Sequence, residues 1–255
     1  MALSTDQTDR EEQIKRDYYD RIADVYDSVA QDDGRQLCVD YISMLLRHKG
    51  LVSALDVGCG TGKGMRQLLD AYPRLTLRGV EPTVSLLRQA VRANSISHQM
   101  LTCGMGESLP FKDKSFDAVY EVAVLHHVKR PDMVVQEMMR VARKAIFLAD
   151  NNRFGHGSVL ARFVKLGLYK LKLWPFFRWV QTRGKSYTIS EGDGLAYSYS
   201  VYDSLDVLSR WADQVILIPT VTQRDPAEST VHSWLSPLLT SSGVLLCAFK
   251  SGPAA

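Results

Sequence analysis

Short apolar runs alternate with helical stretches across residues 50–150, and this alternation limits the chain to a small set of folds. The runs "VSALDV", "LTLRGVE", "HQMLTCG", "FDAVYEVAVL" and "KAIFLAD" are predicted strands. The stretches between them, "KGMRQLLDAY", "SLLRQAVRAN" and "PDMVVQEMMRVAR", have the apolar spacing of helices. Strands and helices that alternate in this way indicate βαβ units and therefore a parallel sheet.

The rest of the chain extends this pattern at both ends. Residues 201–255 contain one more predicted helix, "SLDVLSRWAD", and two strands, "QVILIPTV" and "GVLLCAF", which we expect to pair antiparallel. We predict an α/β fold: a Rossmann-like, seven-stranded, mostly parallel sheet with helices on both faces and an antiparallel last strand. A single domain is expected over residues 1–255, with cap helices in 1–49, a core in 50–150, an insert in 151–200 and the last helix and strands in 201–255.

Composition excludes several classes of protein. The 255 residues are 45% hydrophobic and 23% charged, and the net charge of +3 is too small to indicate a polyanionic partner by itself. The polar N-terminus does not resemble a signal peptide, and no apolar run approaches the roughly 18 residues of a membrane span. The four cysteines are widely separated and no histidine stands at metal-ligand spacing. We expect a cytoplasmic protein without a bound metal.

The glycine-rich segment "ALDVGCGTGKG", residues 54–64, fits neither of two common phosphate-binding motifs. A P-loop fails at both ends, because Val57 stands where its first glycine belongs and Gly64 where its Ser or Thr belongs. The dinucleotide motif GxGxxG also fails, since its third glycine would fall on Lys63 or Met65. The loop therefore suggests a ligand other than a nucleoside phosphate.

Two acidic residues at strand ends narrow the choice of ligand. Asp56 lies just before the glycines, where it would repel a phosphate. Glu81 ends the next strand, 23 residues after Gly58, close to the spacing at which an acid binds a ribose diol. A ligand with a ribose, no phosphate and a cationic end satisfies both observations, and S-adenosylmethionine has all three features.

Three blocks of sequence then identify a family. "LDVGCGTGKG", "GVEPT" and "CGMGESLPFKDKSFDAVYEVAVLHHVKRPDMVVQEMMRVAR" resemble the class I S-adenosylmethionine-dependent methyltransferases. Within this family, the subgroup that the chain most resembles has an "LPF…SFD" segment before strand four. That subgroup includes ubiquinone-pathway and related O- and C-methyltransferases. The resemblance covers about residues 50–150. It implies transfer of a methyl group to an oxygen or nitrogen of a small-molecule acceptor.

The resemblance also implies a set of cofactor-binding residues. Glu81 would bind the ribose hydroxyls, and Pro82 and Met105 would flank the adenine, with Met105 replacing the acid usual at that position. Tyr26 belongs to an N-terminal helix that would close over the methyl-donor end. The expected set consists of Asp56, Gly58, Cys59, Gly60, Thr61, Glu81, Pro82, Met105, Glu121 and Tyr26.

His126 and His127 are the candidate catalytic residues. They follow strand four, and ligands of parallel α/β sheets bind beyond the carboxyl ends of strands. A histidine has a pKa suited to a general base at neutral pH, which a hydroxyl or ammonium acceptor requires. His127 is the stronger candidate. The alternative interpretation is that one or both histidines only pack beneath the cofactor.

The insert at residues 151–200 leaves four interpretations open. Residues 151–190 hold eight Lys or Arg and no Asp or Glu, and the insert carries many aromatic residues. It could be a lid over an apolar or anionic small molecule, a membrane-surface helix for a lipid or quinone acceptor, a nucleic-acid platform, or additional core. We expect the lid. A wobble-uridine tRNA methyltransferase, suggested by "AVLHHV", and a non-catalytic S-adenosylmethionine-binding protein remain alternatives; the sequence does not indicate the oligomeric state.

Overall fold

The computed structural model describes residues 5–29, 33–182, 185, 187–190, 194–221 and 241–251. The strands are β1 (Ser53–Val57), β2 (Thr76–Glu81), β3 (Leu101–Cys103), β4 (Phe116–Val122), β5 (Ala142–Asn151), β6 (Tyr187–Ser190), β7 (Gly194–Tyr197), β8 (Gln214–Val221) and β9 (Gly243–Phe249). The α-helices are α1 (Thr5–Ile22), α2 (Tyr26–Val29), α3 (Asp33–His48), α4 (Lys63–Ala71), α5 (Val84–Arg92), α6 (Pro131–Val141), α7 (Val159–Lys170), α8 (Trp174–Gln181) and α9 (Leu205–Trp211).

Seven of these strands form one sheet in the order β3-β2-β1-β4-β5-β9-β8. Strands β1 to β5 are parallel, whereas β9 lies antiparallel between β5 and β8. This arrangement confirms the predicted fold class, including the antiparallel final strand. The strand order reverses between β1 and β4, so a crevice opens there at the carboxyl edge of the sheet, which is where such sheets bind ligands.

Both faces of the sheet are buried, which explains why most positions of the central strands are apolar. In β5, Ala145 and Phe147 point into one core cluster, and Ile146 and Leu148 point into the other. The first cluster includes residues of α3 and α4, and the second includes residues of α6 and α9. Because successive strand side chains alternate between faces, a strand covered on both sides needs an apolar residue at every position.

Two elements differ from the predicted boundaries for local reasons. Strand β3 is short because the Ser97 side chain accepts a hydrogen bond from the Gln99 amide and caps a 3₁₀ turn at His98–Met100. Strand β5 is longer than predicted because it begins at Ala142, directly after α6 ends at Val141. Residues 222–240 and Glu191 to Asp193, which include part of the predicted hinge "ISEGDGLAYSYS", lie outside the described residues.

The insert after β5 has two helices and a hairpin. A 3₁₀ turn at Arg153–Gly155 leads into α7 and α8, and β6 then pairs antiparallel with β7. Within the described ranges, none of the helices is long and apolar enough to cross a bilayer. The same ranges contain no group of three or more His, Cys, Asp or Glu side chains placed to hold a metal ion.

Candidate active site

The loop between β1 and α4 bends through glycines that no other residue could replace without strain. Gly58, Gly60 and Gly62 have φ angles of 77°, 53° and 71°. A Cβ on Gly58 would lie 2.5 Å from a methyl of Val124, whereas a Cβ on Gly60 would meet no atom within 4 Å. The loop backbone is therefore packed on one side by Val124 and open at Gly60, so that a ligand can approach the main chain there.

Glu81 at the end of β2 fixes the position of this loop. One carboxylate oxygen accepts a hydrogen bond from the Gly60 amide at 3.2 Å, and the other accepts one from the Thr83 amide at 2.9 Å. The side chain is buried, and burial raises its pKa, although these hydrogen bonds oppose the rise. The structure thus has a carboxyl group, fixed by two hydrogen bonds, at the position where the sequence predicts an acidic residue that binds a ribose.

A cavity of about 940 Å³ opens at the carboxyl edge beside Glu81, within the size range of small-molecule sites. Pro82 and Met105 line it, as the sequence predicts for an adenine site, and Tyr26 lines it from the cap. The sheet side of the wall includes Val57, Gly58, Gly60, residues 80–83 and residues 104–107, whereas Lys15 and Arg16 of α1 line the cavity from the cap. On the sheet side, a carboxylate that can accept hydrogen bonds from hydroxyls therefore lies beside apolar and main-chain groups.

A second cavity adjoins the first at Gly58, Gly60 and Tyr26, and Asp56 lies in its wall. Burial, with a smaller contribution from the nearby Glu81 charge, raises the pKa of Asp56 to about 7, while the Tyr120 hydroxyl opposes the rise. That hydroxyl faces Asp56 but makes no hydrogen bond of normal geometry. A buried carboxyl with so high a pKa would gain stability from a cationic ligand group, which favours its ionised form.

Cys59 and Thr61 also line this second cavity, but both are tied to the protein. The Cys59 thiol packs against β2 at Gly79, and burial raises its pKa well above the usual value. The Thr61 hydroxyl donates to Asp27 of α2 at 2.5 Å, and Asn94 also donates to Asp27 at 2.9 Å. Asp27 therefore joins the cap to the glycine loop, a role that no local sequence pattern indicates.

His127 lies in a 3₁₀ turn after β4 and lines the first cavity. Its Nδ1 lies 2.9 Å from the carbonyl oxygen of Leu195 in β7. A carbonyl only accepts hydrogen bonds, so Nδ1 carries the proton and the lone pair of the neutral ring is on Nε2. The ring also has an edge contact with Tyr19 of α1, with centroids 6.1 Å apart.

His126 does not line the cavity, which removes it from the candidate catalytic groups. Its Nδ1 lies 2.7 Å from Asp150, and its amide donates to the other Asp150 oxygen at 3.1 Å. Burial alone would raise the pKa of Asp150, but the His126 charge and these hydrogen bonds lower it below the usual value. His126 is buried and contributes to the packing beneath the site, as the alternative interpretation held.

Glu121 was expected to bind the cofactor, but the structure does not bring it to either cavity. It is fully buried, and one oxygen accepts a hydrogen bond from the Val124 amide at 3.0 Å. Burial raises its pKa well above the usual value, and the neighbouring Asp150 adds to that rise. Glu121 and Tyr120 are successive residues of β4, so their side chains point to opposite faces of the sheet.

The cap closes the cavity from the side opposite the sheet. Glu11 of α1 accepts a hydrogen bond from the Tyr197 hydroxyl at 2.9 Å, and Asp20 accepts one from Ser85 of α5 at 2.5 Å. These contacts join α1 to β7 and to α5. Tyr18 packs against Gly194 of β7.

Helices α7 and α8 of the insert do not line either cavity among the described residues. The insert reaches the site through β7, whose Leu195 carbonyl holds His127. The sequence also suggested that the basic groups of the insert lack partners, but Arg153 forms two hydrogen bonds with Asp203, at 2.9 and 2.6 Å. The lid interpretation therefore has no support from the placement of α7 and α8.

The fold and this site together define a class of protein: an α/β domain whose glycine loop and strand-end acid meet at a cavity on the carboxyl edge of the sheet. Residues 55–148 match the family model described as a methyltransferase domain. This match and the sheet topology confirm the predicted resemblance.

Known methyltransferases are similar to part of this chain. An O-methyltransferase, resE of Aspergillus sclerotiorum, is 33% identical over 101 residues, which are 37% of this chain and 37% of that protein. A demethylmenaquinone methyltransferase of Roseiflexus castenholzii is 31% identical over 122 residues, which are 44% of this chain and 51% of that protein. The chain thus matches only about a third to a half of the length of these relatives.

A solved structure is similar over almost the whole chain. Magnesium protoporphyrin IX methyltransferase of Synechocystis, crystallised with S-adenosylhomocysteine, superposes with a TM-score of 0.60 at 18% identity. The superposition covers 94% of this chain and 100% of that one. At this identity the likeness concerns the fold, which extends beyond the 55–148 match to include the cap and the closing strands.

Proposed function

We propose that the protein binds S-adenosylmethionine in the two joined cavities and transfers its methyl group to an oxygen or nitrogen of a small-molecule acceptor. The buried Glu81 carboxyl, fixed between the Gly60 and Thr83 amides at the edge of the cavity, is the observation that carries this proposal. The methyltransferase relatives support it, and the match to the methyltransferase family model covers the glycine loop and the end of β2.

The residues present suit the two ends of this cofactor. Glu81 would hold the ribose hydroxyls, with Pro82 and Met105 beside the adenine. Asp56 and the open main chain at Gly60 would face the cationic amino-acid end in the adjoining cavity. When bound, S-adenosylmethionine supplies an electrophilic methyl group on a sulfonium leaving group.

His127 is the group of this chain placed to accept a proton from the acceptor. Its protonated Nδ1 is held by the Leu195 carbonyl, which orients the ring and leaves the basic lone pair on Nε2. An acceptor O–H or N–H would lose its proton to Nε2 as the new bond to the methyl carbon forms. Tyr19 and Tyr26 close the cavity from the cap and help to exclude water.

Calorimetry with S-adenosylhomocysteine, NAD and ATP tests the cofactor proposal. We expect binding of S-adenosylhomocysteine only, and the substitution Glu81→Gln should weaken it by about 1–3 kcal/mol because hydrogen bonds to a charged group are lost. Glu107→Gln is the matched control, since Glu107 lines the same cavity away from the loop. Tight binding of NAD with none of S-adenosylhomocysteine would contradict the proposal.

Methyl transfer is tested separately from cofactor binding. The protein is incubated with methyl-labelled S-adenosylmethionine and panels of carboxylic acids, phenols and amines, and labelled products are identified by mass spectrometry. Labelling of one small-molecule class supports the proposal. Tight cofactor binding without labelled product from any panel, including transfer RNA, would indicate a non-catalytic binding protein instead.

A further inference from the structure

Helices α7 and α8 carry an unusual concentration of exposed apolar side chains. More than half of the large hydrophobic residues exposed in the described chain fall within residues 160–180. Leu160 is 75% exposed, Phe176 is 66% exposed and Trp179 is 60% exposed. We name this the α7–α8 surface; its members are Leu160, Phe163, Val164, Leu171, Leu173, Phe176, Phe177, Trp179 and Val180.

An apolar surface of this kind is costly in water unless something covers it. Soluble proteins rarely expose contiguous apolar patches of more than a few hundred Å², and larger ones mark protein or membrane contacts. The aromatic rings of the surface contact one another: Phe176 stacks on Trp179 with centroids 6.3 Å apart, and Trp174 lies 5.6 Å from Phe177. Phe176 and Trp179 remain more than half exposed despite this stacking.

The charge around this surface has a single sign. Residues 151–190 include eight Lys or Arg and no Asp or Glu. Lys170, Lys172 and Lys185 are exposed. Exposed Trp, Phe and Leu side chains interspersed with Lys and Arg are the pattern of helices that lie in the interface of an anionic bilayer.

A basic cavity continues from the same surface. It has a volume of about 1030 Å³, and its described lining includes Arg153, His156, Lys165 and Arg178 but no Asp or Glu. Val164 and Phe177 belong both to this lining and to the α7–α8 surface.

The cations of this cavity are in an unfavourable environment. Burial, followed by the charges of Arg162 and Arg178, lowers the pKa of Lys165. Burial and the Arg153 charge likewise lower the pKa of Arg178. Arg153 is nearly fully buried and its Nε has no hydrogen-bond partner, although its other nitrogens pair with Asp203. An anionic group at this cavity would relieve the repulsion.

We infer that the α7–α8 surface docks onto bilayers that contain anionic phospholipids, with its apolar side chains in the interface and its cations at the lipid phosphates. The helices would lie on the membrane, since α7 has 12 residues and α8 has 8, too few to span it. Each basic residue near an anionic surface adds to the attraction, and the attraction weakens with salt.

The charge pattern favours a bilayer over a second copy of this chain. A two-fold dimer would place each surface against its own duplicate, so the cations of one protomer would face those of the other. The like charges would repel each other and so oppose the attraction between the apolar residues. An anionic bilayer supplies an apolar interior and negative charges together, and so complements both properties of the surface.

Vesicle flotation tests this inference without any cofactor or acceptor, so its outcome is independent of the proposed function. The full chain is mixed with vesicles of phosphatidylcholine alone or of phosphatidylcholine with phosphatidylglycerol. We expect binding to the anionic vesicles at least about tenfold stronger than to the neutral ones, and a decrease as salt is raised.

Matched variants connect binding to the surface. The double variant Phe176→Ser, Trp179→Ser should reduce binding to anionic vesicles by about tenfold or more. The control is the double variant Met44→Ser, Val52→Ser, which should not reduce binding, because these two side chains are each 54% exposed but lie outside the α7–α8 surface. Lys170→Glu, Lys172→Glu should also reduce it, and the exposed pair Arg74→Glu, Lys112→Glu should change it less. Unchanged thermal unfolding shows that the variants are folded.

Three results would overturn the inference. One is no flotation of the natural chain with anionic vesicles at low salt. Another is a dimer, detected by light scattering, that the variant Phe176→Ser, Trp179→Ser abolishes while its vesicle binding stays the same. This result would assign the surface to contact with a second copy of the chain. Protection of residues 160–180 from hydrogen exchange by RNA and not by vesicles would assign it to nucleic acid.

Discussion

The glycine-loop edge and the insert differ in what they bury. At the edge the groups removed from water are polar: Asp56 and Glu81 are each 6% exposed, and their pKa values are raised mainly by burial. In the insert the groups left in water are apolar, with Phe176 and Trp179 more than half exposed. Buried acids favour a small cationic ligand, whereas exposed aromatic residues favour an extended surface, so the two regions have different kinds of partner.

The two regions also differ in how they are held. Main-chain hydrogen bonds fix the glycine loop, since the amides of Gly58 and Cys59 donate to the Val80 carbonyl at 2.7 and 3.0 Å. The insert depends on one side chain: Arg153 pairs with Asp203 and lies between the rings of Tyr169 and Trp174, at 5.5 and 5.1 Å. Damage to one region should therefore leave the other largely intact.

The largest effect is expected from Gly58→Ala. Its Cβ would lie 2.5 Å from Val124, and its φ of 77° is unfavourable for alanine, so the loop must move. We expect affinity for S-adenosylhomocysteine, measured by calorimetry, to fall about 100-fold or more. Gly157→Ala is the control in the insert, because its φ is 87° but its Cβ would meet nothing closer than 3.6 Å. Equal loss of affinity in both variants would remove the distinction between the regions.

His127→Asn should lower the methyl-transfer rate by about 100-fold for a hydroxyl or ammonium acceptor. The asparagine amide retains a donor for the Leu195 carbonyl but provides no basic nitrogen. Affinity for S-adenosylhomocysteine should stay the same. A variant with full activity would show that His127 only lines the cavity and that alignment alone drives the reaction.

Arg153→Met should destabilise the insert while sparing the cofactor site. We expect the free energy of unfolding to fall by about 2 kcal/mol, less than for a fully buried pair because the Asp203 side chain is 31% exposed. Hydrogen exchange should accelerate in residues 151–182 and stay the same in residues 53–62. Arg130→Met, which breaks an exposed pair with Asp132, should cost no more than about 0.5 kcal/mol.

The smallest effect concerns pH. Because the pKa of Asp56 is about 7, the free protein holds a proton there below that pH, and the proton must leave before a cationic group binds. Affinity for S-adenosylhomocysteine should fall by up to about tenfold for each pH unit below 7, and Asp56→Asn should flatten this dependence. A pH-independent affinity in the natural chain would contradict this role of Asp56.

The same raised pKa has a consequence for stability in the unliganded protein. The folded state binds one more proton at Asp56 than the unfolded state between about pH 4 and pH 7. The free energy of unfolding should therefore decrease as pH rises through this window and then level off. Thermal unfolding of the natural chain and of the variant Asp56→Asn, measured across this pH window, tests the expected decrease. A larger decrease of the unfolding free energy in the variant than in the natural chain would contradict the assignment to Asp56.

Local spacing determined much of the candidate site in advance. The glycines, Asp56 and Glu81 lie at ends of strands that the apolar runs already mark, and the carboxyl ends of parallel strands meet at one edge. Pro82 and Met105 follow the ends of β2 and β3, and they were predicted from the resemblance to the methyltransferase family. The glycines, Asp56 and Glu81 depend on short-range pattern together with a parallel sheet, which the alternation of strands and helices indicates.

Sequence alone could not separate His126 from His127. The two are adjacent in one turn, and their directions differ because Asp150 of β5 binds one while the Leu195 carbonyl of β7 binds the other. Asp150 is 24 residues and Leu195 is 68 residues away along the chain. Asp27, which joins the cap to Thr61, was missed for the same reason.

The sequence by itself determined the α/β fold, the strand order's switch point and the loop that meets the ligand, because periodicity and glycine spacing act over a few residues. It also determined that residues 151–190 are basic and rich in aromatic side chains. Only the tertiary structure decided that α7 and α8 lie away from the cavities and keep their aromatic residues exposed. Burial depends on which elements pack against a helix, and no local pattern records that.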